Sequence, residues 1–277
     1  MNYDIVEFIR LTEIEGFDPN KKVMSCFYPI SSLSLVELCC YYGSVACFKF
    51  LITKFKLEIT EECIQCAFLG RNPDIVSECL KEVSDTYFFM HLAIASHNID
   101  FVTYMMNELD IEFNSLSLIE SGKLHNLHAF LVYYDQTKDI DECMAASSLF
   151  DIPSLCEYFI SKGADINARC YSFTALHLAA KKDCSKAANF LISKGANMEL
   201  KYYDRNTALD LAAQNNSVET LRILLLHGAN MNSKADGGRS ALHHAASFNN
   251  KEAIDILISF GADVNAKDDY GTTPQLY

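Results

Sequence analysis

Apolar residues recur at helical spacing along most of the chain, in short runs cut by single glycines or small polar clusters. The most apolar stretch, 33–52, is interrupted by Glu37, Gly43, Ser44 and Lys49. It therefore predicts two short helices rather than a membrane span, which needs ~20 uninterrupted apolar residues. Read the same way, the first half predicts helix pairs at 33–43 with 44–55, 60–70 with 72–83, and 87–97 with 98–109. Another pair is expected at 126–135 with 139–149, and a helix at 152–162. The spacing of these early pairs is about 26 to 28 residues, so any hairpin between them is short or absent.

The second half keeps a stricter period. Gly163-Ala164-Asp165-Ile166-Asn167 returns as Gly195-Ala196-Asn197-Met198-Glu199, as Gly228-Ala229-Asn230-Met231-Asn232 and as Gly261-Ala262-Asp263-Val264-Asn265. In phase with it run Thr174-Ala175-Leu176-His177, Thr207-Ala208-Leu209-Asp210, Ser240-Ala241-Leu242-His243 and Thr273-Pro274-Gln275-Leu276, spaced by 33. Thr174, Thr207, Ser240 and Thr273 each stand where a helix starts, and a hydroxyl there can take a free backbone N–H. Pro274 occupies the first helical position, where proline is favoured.

The first helix of each unit then carries Leu-x-x-Ala-Ala: Leu176 with Ala179 and Ala180, Leu209 with Ala212 and Ala213, Leu242 with Ala245 and Ala246. The second carries a larger ridge: Phe190-Leu191-Ile192, Leu224-Leu225-Leu226, Ile256-Leu257-Ile258. Gly163, Gly195, Gly228 and Gly261 follow the second helices and read as left-handed C′ residues. One such pair cannot bury its own ridge, so neighbouring units must stack.

Two motifs in fixed phase at this period resemble the ankyrin repeat, a β-turn followed by two antiparallel helices. The resemblance implies an all-α solenoid. It sets repeats at about 140–168, 169–201, 202–234 and 235–267, with a partial one at 268–277. Residues 1–139 then read as a divergent, acidic, ankyrin-like helical domain. The order of segments also matters. An acidic, Cys- and Tyr-rich half is followed by Leu127 to Thr137, then by Ser154 to Phe159 and Gly163 to Asn167. This order resembles a large set of protist ankyrin proteins, numerous in parasitic flagellates, whose N-terminal half is a domain of unknown function. That likeness implies architecture and no activity. Two departures stand out. Arg205 occupies a turn position where Gly238 and Gly271 stand in the next repeats, so its hairpin is expected to be less regular. The chain stops at Tyr277, just inside a new repeat, as a frayed stub or as the edge of a fragment.

Charge and cysteine content narrow the partners. The 277 residues carry a formal charge of -13, with the acidity mainly in residues 1–140. Such a chain has no long-range attraction for phosphate backbones or anionic lipid, so neither nucleic acid nor membrane insertion is expected, and a basic protein partner fits better. The N-terminus has acids where a signal peptide needs bases. The eleven cysteines are odd in number and read as reduced, buried small hydrophobes in a cytoplasmic or nuclear protein.

Candidate chemistry is sparse. Cys63 and Cys66 have zinc-like spacing, yet they fall on one helical face without a second pair, and read as core. His177 and His243 recur with the fold, and each ring is expected to bond back to its Thr or Ser and to the neighbouring turn backbone. His125 and His128 lack an acidic partner nearby. No metalloprotease, phosphate-loop, nucleophile-elbow or dinucleotide motif occurs, so no catalytic residue, cofactor or metal is expected. The reading is a protein-binding scaffold. Its alternatives are a regulatory segment of a larger protein and an enzyme or metal protein built on the acidic half. Tyrosine and arginine dominate interfaces, which singles out Tyr171, Tyr203, Arg205, Arg239 and Tyr270 at the hairpin tips. Phe248 joins them as a solvent-facing phenylalanine on a first helix, with Lys181, Lys182, Gln214 and Asn215 extending the same face.

Overall fold

The computed structural model describes residues 5–24, 32–81 and 86–276, which form seventeen α-helices and very little strand. Packing divides the chain into two units, Met1–Glu112 and Phe113–Tyr277.

The first unit opens with α1 (Ile5–Thr12) and a two-residue antiparallel pairing of β1 (Val23–Met24) with β2 (Ser32–Leu33). Three helix pairs follow: α2 (Leu35–Tyr42) with α3 (Val45–Phe55), α4 (Glu61–Gly70) with α5 (Pro73–Leu80), and α6 (Thr86–Ala95) with α7 (Ile99–Asn107). These are the three pairs the apolar runs predict, to within a few residues. Residues 82–83 of the expected 72–83 helix lie outside the described residues. Local chemistry sets the starts. The Ser34 N–H donates to Glu37 Oε2 at 2.7 Å in a capping box, and Asn72 Oδ1 accepts from the N–H groups of Asp74 and Ile75. Gly70 lets α2 and α4 approach closely, since a Cβ there would lie 2.4 Å from the Tyr41 carbonyl oxygen.

The second unit begins with α8 (Ser115–Lys123), α9 (Leu127–Thr137), α10 (Ile140–Ser147) and α11 (Pro153–Ser161). Here the pairing differs from expectation: α9 packs on α8, and α10 on α11, rather than 126–135 on 139–149. The sequence of α8, Ser-Leu-Ser-Leu-Ile-Glu-Ser-Gly-Lys, is half small and polar, so its periodicity is faint. Its burial rests on Gly122, where a Cβ would come within 2.8 Å of Leu149, and on Asn114, whose Oδ1 caps the helix. The division by packing falls between Glu112 and Phe113, so α8 and α9 lie in the second unit.

The strict repeats are α12 (Ala175–Lys182) with α13 (Ser185–Ser193), α14 (Ala208–Gln214) with α15 (Val218–Leu226), and α16 (Ala241–Ser247) with α17 (Lys251–Ser259). First helices stack in the order α10, α12, α14, α16, and second helices in the order α11, α13, α15, α17. Ala179, Ala180, Ala212, Ala213 and Ala245 are buried where the first helices meet. The hydroxyls of Thr174 and Thr207 accept the N–H groups of His177 and Asp210, as N-caps should. Gly163, Gly195, Gly228 and Gly261 have φ of 98°, 92°, 84° and 94°, the left-handed C′ conformation expected of them.

Hairpins join the repeats. β3 (Arg169–Cys170) pairs with β4 (Phe173–Thr174), and later hairpins share one closing bond, Tyr202 N–H to Asn206 C=O at 2.8 Å, Ala235 to Arg239 at 2.8 Å and Asp268 to Thr272 at 3.0 Å; the last two add Gly238 N–H to Ala235 C=O and Gly271 N–H to Asp268 C=O, both at 3.1 Å. The hairpin holding Arg205 shares the closing bond, while the second bond is made by the glycines at its position in the next repeats, Gly238 and Gly271. Its irregularity is local: φ is 27° at Asp204 and 54° at Arg205, where the next repeat has Gly237 and Gly238.

Candidate partner-binding groove

Three successive repeats of the second unit enclose a groove of about 400 Å³. Phe173 and Lys181 come from the first of them, Tyr202, Asn206 and Leu211 from the second, Arg239, His244 and Phe248 from the third. Each repeat contributes the inner side of a hairpin and the exposed side of a first helix, so residues far apart in sequence converge. The Phe173 and Tyr202 rings stack with centroids 3.8 Å apart at 14°, which spans two repeats with one aromatic pair. Lys181 Nζ lies 5.2 Å from the Phe173 centroid, within cation–π range, and burial first, then Lys123 and Lys182, push its pKa down. Phe248 caps α16 and is 55% exposed.

Two polar side chains lining the groove each have one buried atom left unpaired. Asn206 is 6% exposed and His244 is 8% exposed, and neither Asn206 Oδ1 nor His244 Nε2 has a hydrogen-bond partner. Burial pushes the His244 pKa down to about 4, helped by Arg239 and His243, so the ring is neutral near pH 7. The groove's formal charges cancel, with Lys181 and Arg239 against Asp204 and Asp236.

The six residues singled out in the sequence fall in different places. Arg239 and Phe248 line the groove together. Tyr203 is 60% exposed and meets Tyr202 edge-on at 5.0 Å, one ring away from it. Tyr171, Arg205 and Tyr270 stand exposed at hairpin tips, outside the lining, with Tyr171 at φ 45° and Tyr270 81% exposed. Of the extending residues, Lys181, Gln214 and Asn215 line the groove and Lys182 does not. Phe173, Tyr202, Asn206 and His244 were not among the six. The register offered a signal for two of them. Phe173, Asn206, Arg239 and Thr272 occupy one repeat position, so choosing Arg239 implied asking what stands in its place in the other repeats.

The recurrent histidines are structural. His177 Nδ1 accepts the Thr174 N–H at 3.2 Å, and its Nε2 bonds the Leu200 carbonyl at 3.0 Å; His243 does the same with Ser240 and, at 3.1 Å, Thr272. Asp210 keeps the local half of this arrangement, accepting the Thr207 N–H at 2.8 Å. In the first unit Cys63 and Cys66 are buried in α4. Cys63 lies at a cleft with Glu37 and Thr60, and hydrogen bonds from the Cys40 thiol and from Thr60 bring its pKa down to about 7 against the opposing effect of burial. Among the described residues no group of three or more His, Cys, Asp or Glu is placed to hold a metal, and no helix is long and apolar enough to cross a membrane.

Residues 143–235 and 209–277 match the family model of ankyrin repeats (three copies). Residues 143–277 of the second unit are thus ankyrin repeats stacked as a solenoid, in an all-α chain. Residues 55–133 match a domain of unknown function (DUF3447), as the resemblance of the N-terminal half implied. No curated protein matches the chain.

Proposed function

We propose that the protein is an interaction scaffold whose ankyrin unit holds a protein partner in the groove between Phe173 and Phe248. Ankyrin repeats generally mediate protein–protein contact, and repeat stacks present extended concave surfaces for it. The observation that carries the reading is the aromatic groove itself, where a phenylalanine more than half exposed shares the lining with a stacked Phe–Tyr pair, the three residues coming from three repeats. The overall charge of -13 supports a partner that is basic overall, although the groove's own charges balance. Among the described residues ten cysteines are free and buried, which supports a reducing compartment, cytoplasmic or nuclear. The protist kinship drawn from the order of segments belongs to this proposal and not to the family matches.

The test is affinity capture from lysate on the native chain and on a chain carrying Tyr202→Ala and Phe248→Ala, after both are checked for folding. A partner captured by the first and lost on the second supports the groove. Equal capture by both baits removes the groove from the reading and moves it to the first unit or the hairpin tips.

A further inference from the structure

A thiol becomes a nucleophile on losing its proton, and a helix N-terminus with hydrogen-bond donors around the sulfur favours that loss. Cys63 of the first unit has this setting. It is the third residue of α4, and the hydroxyl of the N-cap Thr60 donates to Cys63 Sγ at 3.7 Å. Thr60 is exposed, and with Cys63, Lys22, Lys56 and Glu37 it lines a cleft of about 580 Å³. On the inner side, the fully buried Cys40 of α2 donates its thiol to Cys63 and also contacts the thiol of Cys79 on α5. The sulfur of Cys63 therefore stands between an exposed hydroxyl at the cleft and a second thiol in the core. These bonds bring its pKa down to about 7 against burial and the Glu37 carboxylate. Burial pushes Cys39, Cys66, Cys143 and Cys184 up to about 12, which leaves them inert by comparison.

We infer that Cys63 is a site of reversible oxidation by hydrogen peroxide, and that Cys40 resolves the oxidised sulfur into a disulfide joining α2 to α4. A nucleophilic thiol at a cleft with a second thiol behind it is the arrangement such chemistry needs. In the first step the Cys63 thiolate attacks one peroxide oxygen. An S–O bond forms as the O–O bond breaks, the sulfur gives up two electrons, and the departing hydroxide takes a proton to become water. In the second step Cys40 sulfur attacks Cys63 sulfur. The S–S bond forms as the S–O bond breaks, and the hydroxide that leaves takes the Cys40 proton as water. Two thiols and one peroxide thus give one disulfide and two waters. Cys63 is only 2% exposed, which selects an oxidant little larger than water over a bulky disulfide. The site lies in the first unit and is independent of the partner groove.

The experiment treats the reduced full chain with equimolar hydrogen peroxide at pH 7. Remaining thiols are alkylated under denaturing conditions, and peptides are read by mass spectrometry without reductant. The expected product is a Cys40–Cys63 cross-link that forms in folded protein and disappears with dithiothreitol. Cys63 should be consumed at least about 10-fold faster than Cys39 or Cys66, as their thiolate fractions require. Cys40→Ser should leave Cys63 as a sulfenic acid that dimedone captures, and Cys63→Ser should leave Cys40 reduced. Thr60→Val should slow the reaction, since the sulfur loses a hydrogen-bond donor. Should a serine variant fail to fold, the cross-link and the relative rates in the native chain decide the matter alone. A Cys40–Cys79 cross-link overturns the inference, as does consumption of Cys63 no faster than of Cys39 and Cys66. Oxidation that appears only when urea unfolds the chain also overturns it, since buried cysteines of a purely structural core behave that way. Sulfinic acid at Cys63 with Cys40 still reduced overturns the resolving role.

Discussion

The Asp183 carboxylate accepts the backbone N–H of Thr220 at 2.8 Å, so one repeat caps the second helix of the next. Asp151 does the same for Ala187 at 2.9 Å, and Asn216 for Ala253 at 3.2 Å. The helices so capped have local N-cap residues, Cys184, Ser217 and Asn250, that make no side-chain cap bond. All three donated caps come from left-handed residues, with φ of 53° to 55°, where Asp and Asn are better tolerated than most side chains. A cap supplied across the repeat boundary ties helix initiation to stacking, which makes neighbouring repeats cooperative.

Replacing Asp183 therefore separates its two roles. Asp183→Asn keeps an acceptor and a residue suited to the left-handed turn, as Asn216 does naturally, and should leave stability nearly unchanged. Asp183→Ala should cost about 1–2 kcal/mol, the usual loss on removing an N-cap with a small addition for the turn. Urea unfolding of the two variants beside the native chain measures it. Equal stability of both would show that the Thr220 N–H finds water at no cost.

The hairpin turns give a second pair of opposite outcomes. Arg205→Gly should stabilise the chain by about 0.5–1 kcal/mol, because glycine occupies φ 54° without steric penalty. Gly238→Ala, one repeat on, should destabilise by more than that. Its φ is 70°, and its Cβ would lie 2.8 Å from the backbone nitrogen of Asp269. Thermal midpoints of the two variants should move in opposite directions.

Acid should act on two buried groups of one repeat position with opposite sign. Burial pushes the His177 pKa from 6.5 down to about 4, so between these values the unfolded chain binds more protons and stability is lost as pH falls. Burial pushes the Asp210 pKa from 3.8 up to about 6, against the pull of its bonds to Thr207, so the folded chain binds more protons in that window and stability is gained as pH falls. Removing the compensating group with Asp210→Asn should steepen the loss of stability between pH 6 and pH 4. Urea midpoints at pH 7, 6, 5 and 4 test the slope, and an unchanged slope would mean that Asp210 titrates normally.

In the first unit, Gly70→Ala should be destabilising although alanine is the better helix former by about 1 kcal/mol. The added methyl would meet the carbonyl oxygens of Tyr41 and Cys40 at 2.4 and 2.5 Å, and backbone cannot step aside as a side chain can. Overpacking of this kind costs about 1–3 kcal/mol. A gain in thermal midpoint would show that α2 and α4 separate easily.

The amino-acid sequence by itself determined whatever is written in local interactions. The period of 33, the N-caps at Thr174 and Thr207, the left-handed glycines at 163, 195, 228 and 261, and the back-bonding of His177 and His243 involve atoms close along the chain or repeated with it, so residue type and spacing suffice. Tertiary structure alone decided the rest. It brought α8 onto α9 and onto Leu149, because a helix rich in serine with a glycine at the contact leaves only a faint apolar signature in the sequence. It also chose the groove. Arg239 and Phe248 enter it while Tyr171, Arg205 and Tyr270 stay at the tips, because a hairpin turns some positions inward and others outward. The orphaned atoms of Asn206 and His244 belong to the same class: whether a polar atom is buried and unpaired depends on which neighbours three stacked repeats bring around it, and those neighbours lie 30 or more residues apart.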